Sequence, residues 1–97
     1  MKRLRVHPEA RAEARRAFEW YWHEKESAAL GFVAELKDAY LGIQKAGTIC
    51  PPYLLGTRRK LLNRYPYSVV FREFSEDVEI LAVANAKRRP GYWSSRL

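Results

Sequence analysis

Tyr67-Ser68-Val69-Val70-Phe71-Arg72-Glu73-Phe74-Ser75-Glu76-Asp77-Val78-Glu79-Ile80-Leu81-Ala82-Val83-Ala84-Asn85 is the stretch on which the fold turns. It contains two β-like runs, Tyr67 to Phe74 and Val78 to Asn85, separated by the polar turn Ser75-Glu76-Asp77. In the first run Ser68, Val70 and Arg72 alternate with Val69, Phe71 and Glu73, as expected of a sheet with one covered and one exposed face. A third β-like run, Arg58 to Arg64, lies upstream across Tyr65-Pro66. Consecutive strands joined by short turns predict an antiparallel meander.

What covers that sheet is written further upstream. Ala10, Ala14, Ala17 and Tyr21 keep helical spacing within Glu9 to Lys25, and Phe18 and Trp22 widen the stripe. Pro8 suits the first turn of such a helix, and Glu9 and Glu13 sit favourably near its positive end. Glu26-Ser27 reads as a break, with Ser27 capping a second helix. From Ala28 to Ala46 the apolar positions Ala29, Phe32, Val33, Leu36, Tyr40 and Ile43 again follow three-and-four spacing, and Gly47 ends the run as a C-cap. Leu4-Arg5-Val6-His7 alternates as a short first strand would. Thr48 to Thr57, with Pro51, Pro52 and Gly56, reads as a loop, and Ala86 to Leu97 as a basic, aromatic tail interrupted at Pro90-Gly91. The expected fold is α+β in the order β-αα-βββ, one domain over residues 1–97, with a helical hairpin packed on a small antiparallel-meander sheet.

At 97 residues with 47% hydrophobic side chains, a single core can form without metal or disulfide support. Cys50 has no partner in the chain, which excludes a disulfide framework and fits a reducing cytosol. No apolar segment follows the basic start Met1-Lys2-Arg3, and no run is long enough to cross a bilayer, so a cytoplasmic protein without membrane contact is expected. The net charge is +7, unevenly placed: Met1–Thr57 has 9 basic and 7 acidic residues (+2), Arg58–Leu97 has 9 and 4 (+5). A basic C-terminal part suits a polyanionic or acidic partner.

Metal and cofactor chemistry find no purchase here. One cysteine and two widely spaced histidines offer no zinc ligand set. No nucleophile motif and no glycine-rich phosphate loop is present. His7, at a strand-to-helix corner, and His23, near a helix end, read as structural or solvated. What remains is the basic set Arg58, Arg59, Lys60, Arg64, Arg72, Lys87, Arg88 and Arg89, with Tyr92 and Trp93 beside it. Arginines hold phosphates or carboxylates bidentately, and aromatic rings stack on bases. Strand alternation places Arg59 opposite to Arg58 and Lys60.

Two segments carry a family resemblance: Arg58 to Arg72, with its basic start, apolar pair and Tyr65-Pro66-Tyr67, and Val78 to Trp93. Together with Pro8-Glu9-Ala10 and Trp20-Tyr21, this chain resembles the RelE/ParE toxin superfamily, and within it the ParE-like toxins of type II toxin–antitoxin modules. The resemblance implies a toxin neutralised by a cognate antitoxin in a hetero-oligomer, with DNA gyrase as target for a ParE-like member. For a RelE-like member it implies a ribosome-dependent endoribonuclease that cuts mRNA without a metal, with Arg59, Arg88 (or Lys87) and Tyr92 in the catalytic roles. Ser68 stands where that pattern has an arginine, Leu61 where it has a second base, and Asn85 where ParE-like chains commonly have histidine. A toxin reduced to binding its antitoxin is the third implied outcome. The expected target-binding residues are Arg59, Arg64, Arg72, Lys87, Arg88, Arg89, Tyr92 and Trp93.

Overall fold

His7 and Pro8 turn the chain from strand into helix. In the computed structural model, which describes residues 1–97, the His7 Nδ1 accepts the Glu9 backbone N–H at 3.1 Å and caps the first helix, with Pro8 in its first turn. The elements are β1 (Arg3–Val6), α1 (Pro8–Glu24), α2 (Glu26–Ala46), β2 (Arg58–Leu61), β3 (Tyr67–Glu73) and β4 (Asp77–Asn85), with short 3-10 turns at Gly47–Ile49, Leu54–Gly56 and Ser94–Arg96. The expected β-αα-βββ order stands. The helices break one residue earlier than expected: extended Lys25 is the hinge, its carbonyl accepts from Ala28 and Ala29, and Ser27 caps nothing.

The meander β2-β3-β4 is antiparallel, and β1 joins the far side of β4 in parallel, giving the order β1-β4-β3-β2. A parallel neighbour requires a crossover, and the helical hairpin supplies it. One face of the sheet packs on the hairpin. Val69, Phe71, Val78, Ile80 and Val83 meet Ala10, Ala17, Phe32, Leu36, Ala39 and Ile43, each almost or wholly inaccessible to solvent. Burying a side chain of the size of Phe32 or Ile43 contributes roughly 1.5–3 kcal/mol, so this face alone accounts for a cooperative core. Gly47 does not terminate α2 in a left-handed turn; its φ is −58° and the chain runs on into a 3-10 turn. Close approach explains the glycine: a Cβ there would lie 2.8 Å from Glu73 Oε2 and 3.0 Å from Phe71 Cε2.

The opposite face is covered too, contrary to the expectation of one exposed face. Val70, Leu81, Ala82 and Ala84 form a second buried cluster closed by Trp93 from the tail, with Tyr53 and Tyr92 packed against it. A bulge makes this face richer than alternation alone allows. Leu81 is the extra residue between the pairs Val70–Ala82 and Phe71–Ile80, so Leu81 and Ala82 both turn to the tail side. β2 ends at Leu61 rather than Arg64 because α2 takes the following segment. The Glu35 carboxylate accepts the backbone N–H groups of Asn63 and Arg64, and the Tyr65 hydroxyl donates to the Ala28 carbonyl at 2.7 Å.

Candidate functional site

β1 pairs with β4 only as far as Ile80, which leaves the edge of β4 beyond that point without a strand. Two side chains take the strand's place. Glu13, on the buried stripe of α1 and 6% exposed, accepts the Val83 backbone N–H at 3.0 Å. Arg96, from the last turn of the tail, donates to the Leu81 carbonyl at 2.9 Å. The two also meet each other in a fork, Arg96 Nη1 to Glu13 Oε1 at 2.9 Å and Nη2 to Oε2 at 3.0 Å. The Tyr92 hydroxyl completes the cluster by donating to Glu13 Oε2 at 2.6 Å. Every partner is satisfied, which is the condition under which a buried ion pair is tolerated. Burial acts first to raise the Tyr92 pKa, and the hydrogen bond and charge of Glu13 push it further above its ordinary value. For Arg96 burial alone would lower the pKa, but Glu13 outweighs it and the guanidinium is held more firmly charged.

This staple fixes the tail across the second face and so creates a cleft of about 90 Å³ between the tail, β2 and the end of β4. Arg59, Arg88 and Arg89 line it together with Ser68 and Asn85, over a floor that includes Trp93. Two of the three guanidiniums rest on aromatic rings: Arg59 is 4.1 Å from the Tyr53 ring centroid and Arg88 is 3.9 Å from that of Tyr92. Each such contact contributes about 0.5–1 kcal/mol where exposed and more where desolvated, enough to restrict a long side chain that would otherwise sample many rotamers. No carboxylate lines the cleft. The chain's ion pairs engage Lys2, Arg3, Arg5, Arg58, Arg72 and Arg96 instead. The arrangement is a concentration of uncompensated guanidinium charge, two of its three groups held against rings, chemically suited to oxyanions.

Of the residues singled out from sequence, Arg59, Arg88, Arg89 and Tyr92 come together here. Arg59 and Arg58 do point apart: Arg58 donates to the Cys50 carbonyl at 2.7 Å and approaches Glu73 at 3.6 Å, away from the cleft. Trp93 is 1% exposed, so it supports the cleft from beneath and offers no surface to a target. Arg72 lies elsewhere, paired with Glu79 at 2.8 Å. Arg64 is exposed on the β2–β3 connection. Lys87 lines a neighbouring groove of about 600 Å³ with Arg16, Trp20, Tyr21, Pro66 and Tyr67. Burial raises the Cys50 pKa, ahead of the opposing pull of Lys60, which disfavours the thiolate.

Glu13, Arg96 and Tyr53 are the participants that sequence reasoning missed. Glu13 carried a legible signal, since it lies three residues after Ala10 and four before Ala17 on the apolar stripe. A carboxylate on a buried face requires a partner. Arg96 and Tyr53 carried none, because tail and loop have no periodicity from which to read direction.

Comparison with known proteins agrees at the level of fold. No protein-family profile and no curated protein matches the chain. Among solved structures it is similar to a chain of the "Chromosomal ParDE TA system from P. aeruginosa", with a TM-score of 0.76 and 21% sequence identity over 88% of this chain and 96% of that one. The fold is therefore ParE-like, as the sequence resemblance implied. No helix is long and apolar enough to cross a membrane.

Proposed function

We propose that this chain is the toxin of a type II toxin–antitoxin pair, a ParE-like protein that inhibits DNA gyrase by binding it and is neutralised by a cognate antitoxin in the cytoplasm. The shared fold with a chain of a ParDE system supports the class. The observation that carries binding over catalysis is the state of Tyr92. Its hydroxyl is donated inward to Glu13 and its pKa is raised, whereas a general acid or base works best near the ambient pH. With Tyr92 committed to structure, the exposed cations Arg64, Lys87, Arg88 and Arg89, with half-buried Arg59, are left as the target-binding surface. An acidic antitoxin would meet the same excess of charge, and its affinity would fall as salt rises.

Induction of the chain in a bacterial host should produce double-strand breaks and an SOS response while ribosome-bound mRNA stays intact. Codon-phased cleavage of mRNA in a purified translation system would reject this reading. One observation favours that rival, a RelE-like endoribonuclease: Arg59, Arg88 and Tyr92 do share one cleft. The rival requires the Tyr92 hydroxyl for activity, so Tyr92→Phe separates the two. Growth inhibition that survives the loss of the oxygen in a variant that melts as the parent does rejects the catalytic rival, and an abrupt loss of toxicity in that folded variant favours it.

A further inference from the structure

We infer that the cleft lined by Arg59, Arg88 and Arg89 is a receptor for a single carboxylate carried on an acidic segment of a protein partner. The inference rests on the binding mode of action proposed above and names the chemistry of the group bound.

Three features of the cleft point to it. Its charge has no internal counterpart: three arginines line it and no acidic side chain does, while elsewhere in the chain Arg58, Arg72 and Arg96 each pair with a carboxylate. Its donors are held in place, since Tyr53 and Tyr92 support Arg59 and Arg88 from below. A guanidinium fork already ordered loses little freedom when it closes on a planar, two-oxygen acceptor. Uncharged polar groups accompany the charge: Ser68 supplies a hydroxyl, and Asn85, whose Oδ1 accepts the Lys87 backbone N–H at 2.9 Å, keeps its NH₂ as a donor.

Size and shape then choose between proteins and nucleic acids. The cleft, about 90 Å³, is of a size for a compact oxyanion. Proteins that hold single-stranded nucleic acid offer bare aromatic faces to the bases. Here Arg59 lies over Tyr53, Arg88 lies over Tyr92, and Trp93 is 1% exposed, so no ring in the cleft is free to stack. A carboxylate side chain needs no such platform. Exposed Arg89 in the cleft and exposed Lys87 in the neighbouring groove favour further acidic residues beside it in the partner.

The test uses the full chain and three probes: a peptide carrying several glutamates, its glutamine counterpart, and an oligodeoxythymidine of equal charge. Binding is followed by calorimetry and by the Nε–H resonances of the arginines. The glutamate peptide should move the Arg59 and Arg88 resonances and leave Arg72 unmoved, and the glutamine peptide should move none. Arg59→Gln and Arg88→Gln should each weaken the glutamate peptide by about tenfold or more. Arg72→Gln, which changes an arginine outside the cleft that is paired with Glu79, should bind as the parent does. If Arg59→Gln fails to fold, Arg59→Lys serves in its place, because it keeps the charge, loses the fork and should still bind more weakly. Glutamate-peptide binding that survives both arginine variants overturns the inference, as does an oligonucleotide that binds more tightly through the same resonances. Growth inhibition is scored separately. A chain that inhibits growth without binding the peptide loses the carboxylate receptor and keeps the toxin reading, whereas one that binds the peptide and inhibits nothing keeps the receptor and loses the toxin reading.

Discussion

The two faces of the sheet are closed by different physics. On the hairpin side, residues from two helices and two strands interdigitate, and Phe32, Ile43, Phe71 and Ile80 are each at most 1% exposed. On the tail side a single large side chain, Trp93, covers Val70, Leu81, Ala82 and Ala84, and its segment is fixed by one charged fork between Glu13 and Arg96. Apolar packing on the first face is redundant and readable from period. Closure of the second depends on a few specific groups, and the same few groups shape the arginine-lined cleft. The face with less redundancy is the one that carries the candidate function.

Removing Trp93 should strain this contrast most. Trp93→Ala leaves a cavity beneath the cleft and should destabilise the chain by about 3–5 kcal/mol, in the range of Phe32→Ala on the other face. The consequences should differ in extent. Amide exchange in the Trp93 variant should quicken first in the tail and β2, while α2 and its partners in β3 keep their protection. In the Phe32 variant protection should fall throughout. Equal loss across both faces in the Trp93 variant would mean that the faces form one cooperative unit.

The charged fork comes next. Glu13→Gln strands Arg96 in a site where its side chain is 12% exposed. Breaking a fully buried pair costs roughly 3–5 kcal/mol, and the residual exposure of Arg96 reduces the expectation to about 2–3 kcal/mol. Removing both charges, Glu13→Gln with Arg96→Met, should cost less than the sum of the single changes, because no unpaired charge remains. Strict additivity in this double-mutant cycle, measured by denaturant unfolding, would contradict the geometry.

The same contrast explains what sequence could and could not reveal. The hairpin face was legible because Ala29, Phe32, Leu36 and Ile43 repeat at helical spacing and Val69 and Phe71 at strand spacing. The covered tail face was not, because Leu81 breaks alternation at a bulge and nothing in Lys87 to Leu97 repeats. β2 is three residues shorter than its β-like run because the capture of Asn63 and Arg64 by Glu35 is a tertiary contact across 28 and 29 residues, which no local pattern reveals. Among candidate site residues, Arg59 could be assigned a direction from strand parity alone. Arg88 could not, since its direction depends on Tyr92, and that of Tyr92 depends on Glu13.

Alkaline pH offers a gentler test of the tail. Tyr92 is neutral and donating in the folded chain, with its pKa raised above 10.0 by burial and Glu13. Tyr40 moves the same way, to about 12, chiefly through burial. A raised folded value means that the stabilisation is complete below the unfolded value, near pH 10, and is lost as pH climbs through the folded one. The melting temperature should therefore fall above pH 10, and less steeply in Tyr92→Phe, which has no proton to lose there. Parallel decline in parent and variant would remove Tyr92 from the account and leave Tyr40 and Tyr21, whose pKa burial also raises.

The smallest effect on stability should accompany the largest on function. Lys87, Arg88 and Arg89 are exposed, and none has a carboxylate partner. Replacing all three by alanine removes three of the cations around the cleft and its rim while leaving Trp93 and the Glu13–Arg96 fork in place. Surface changes of this kind usually move stability by no more than about 0.5 kcal/mol each. Loss of the Arg88 contact with the Tyr92 ring acts against stability, and relief of repulsion among three adjacent cations acts in its favour. The variant should therefore melt close to the parent. If the cleft and its rim are the surface that meets the target, the variant should nonetheless lose growth inhibition, and Arg72→Gln, on an arginine outside the cleft, should retain it. A triple variant that melts normally and stays fully toxic would detach function from the tail face and move the search to the helical hairpin, where exposed Trp20 and Trp22 are the next residues to change.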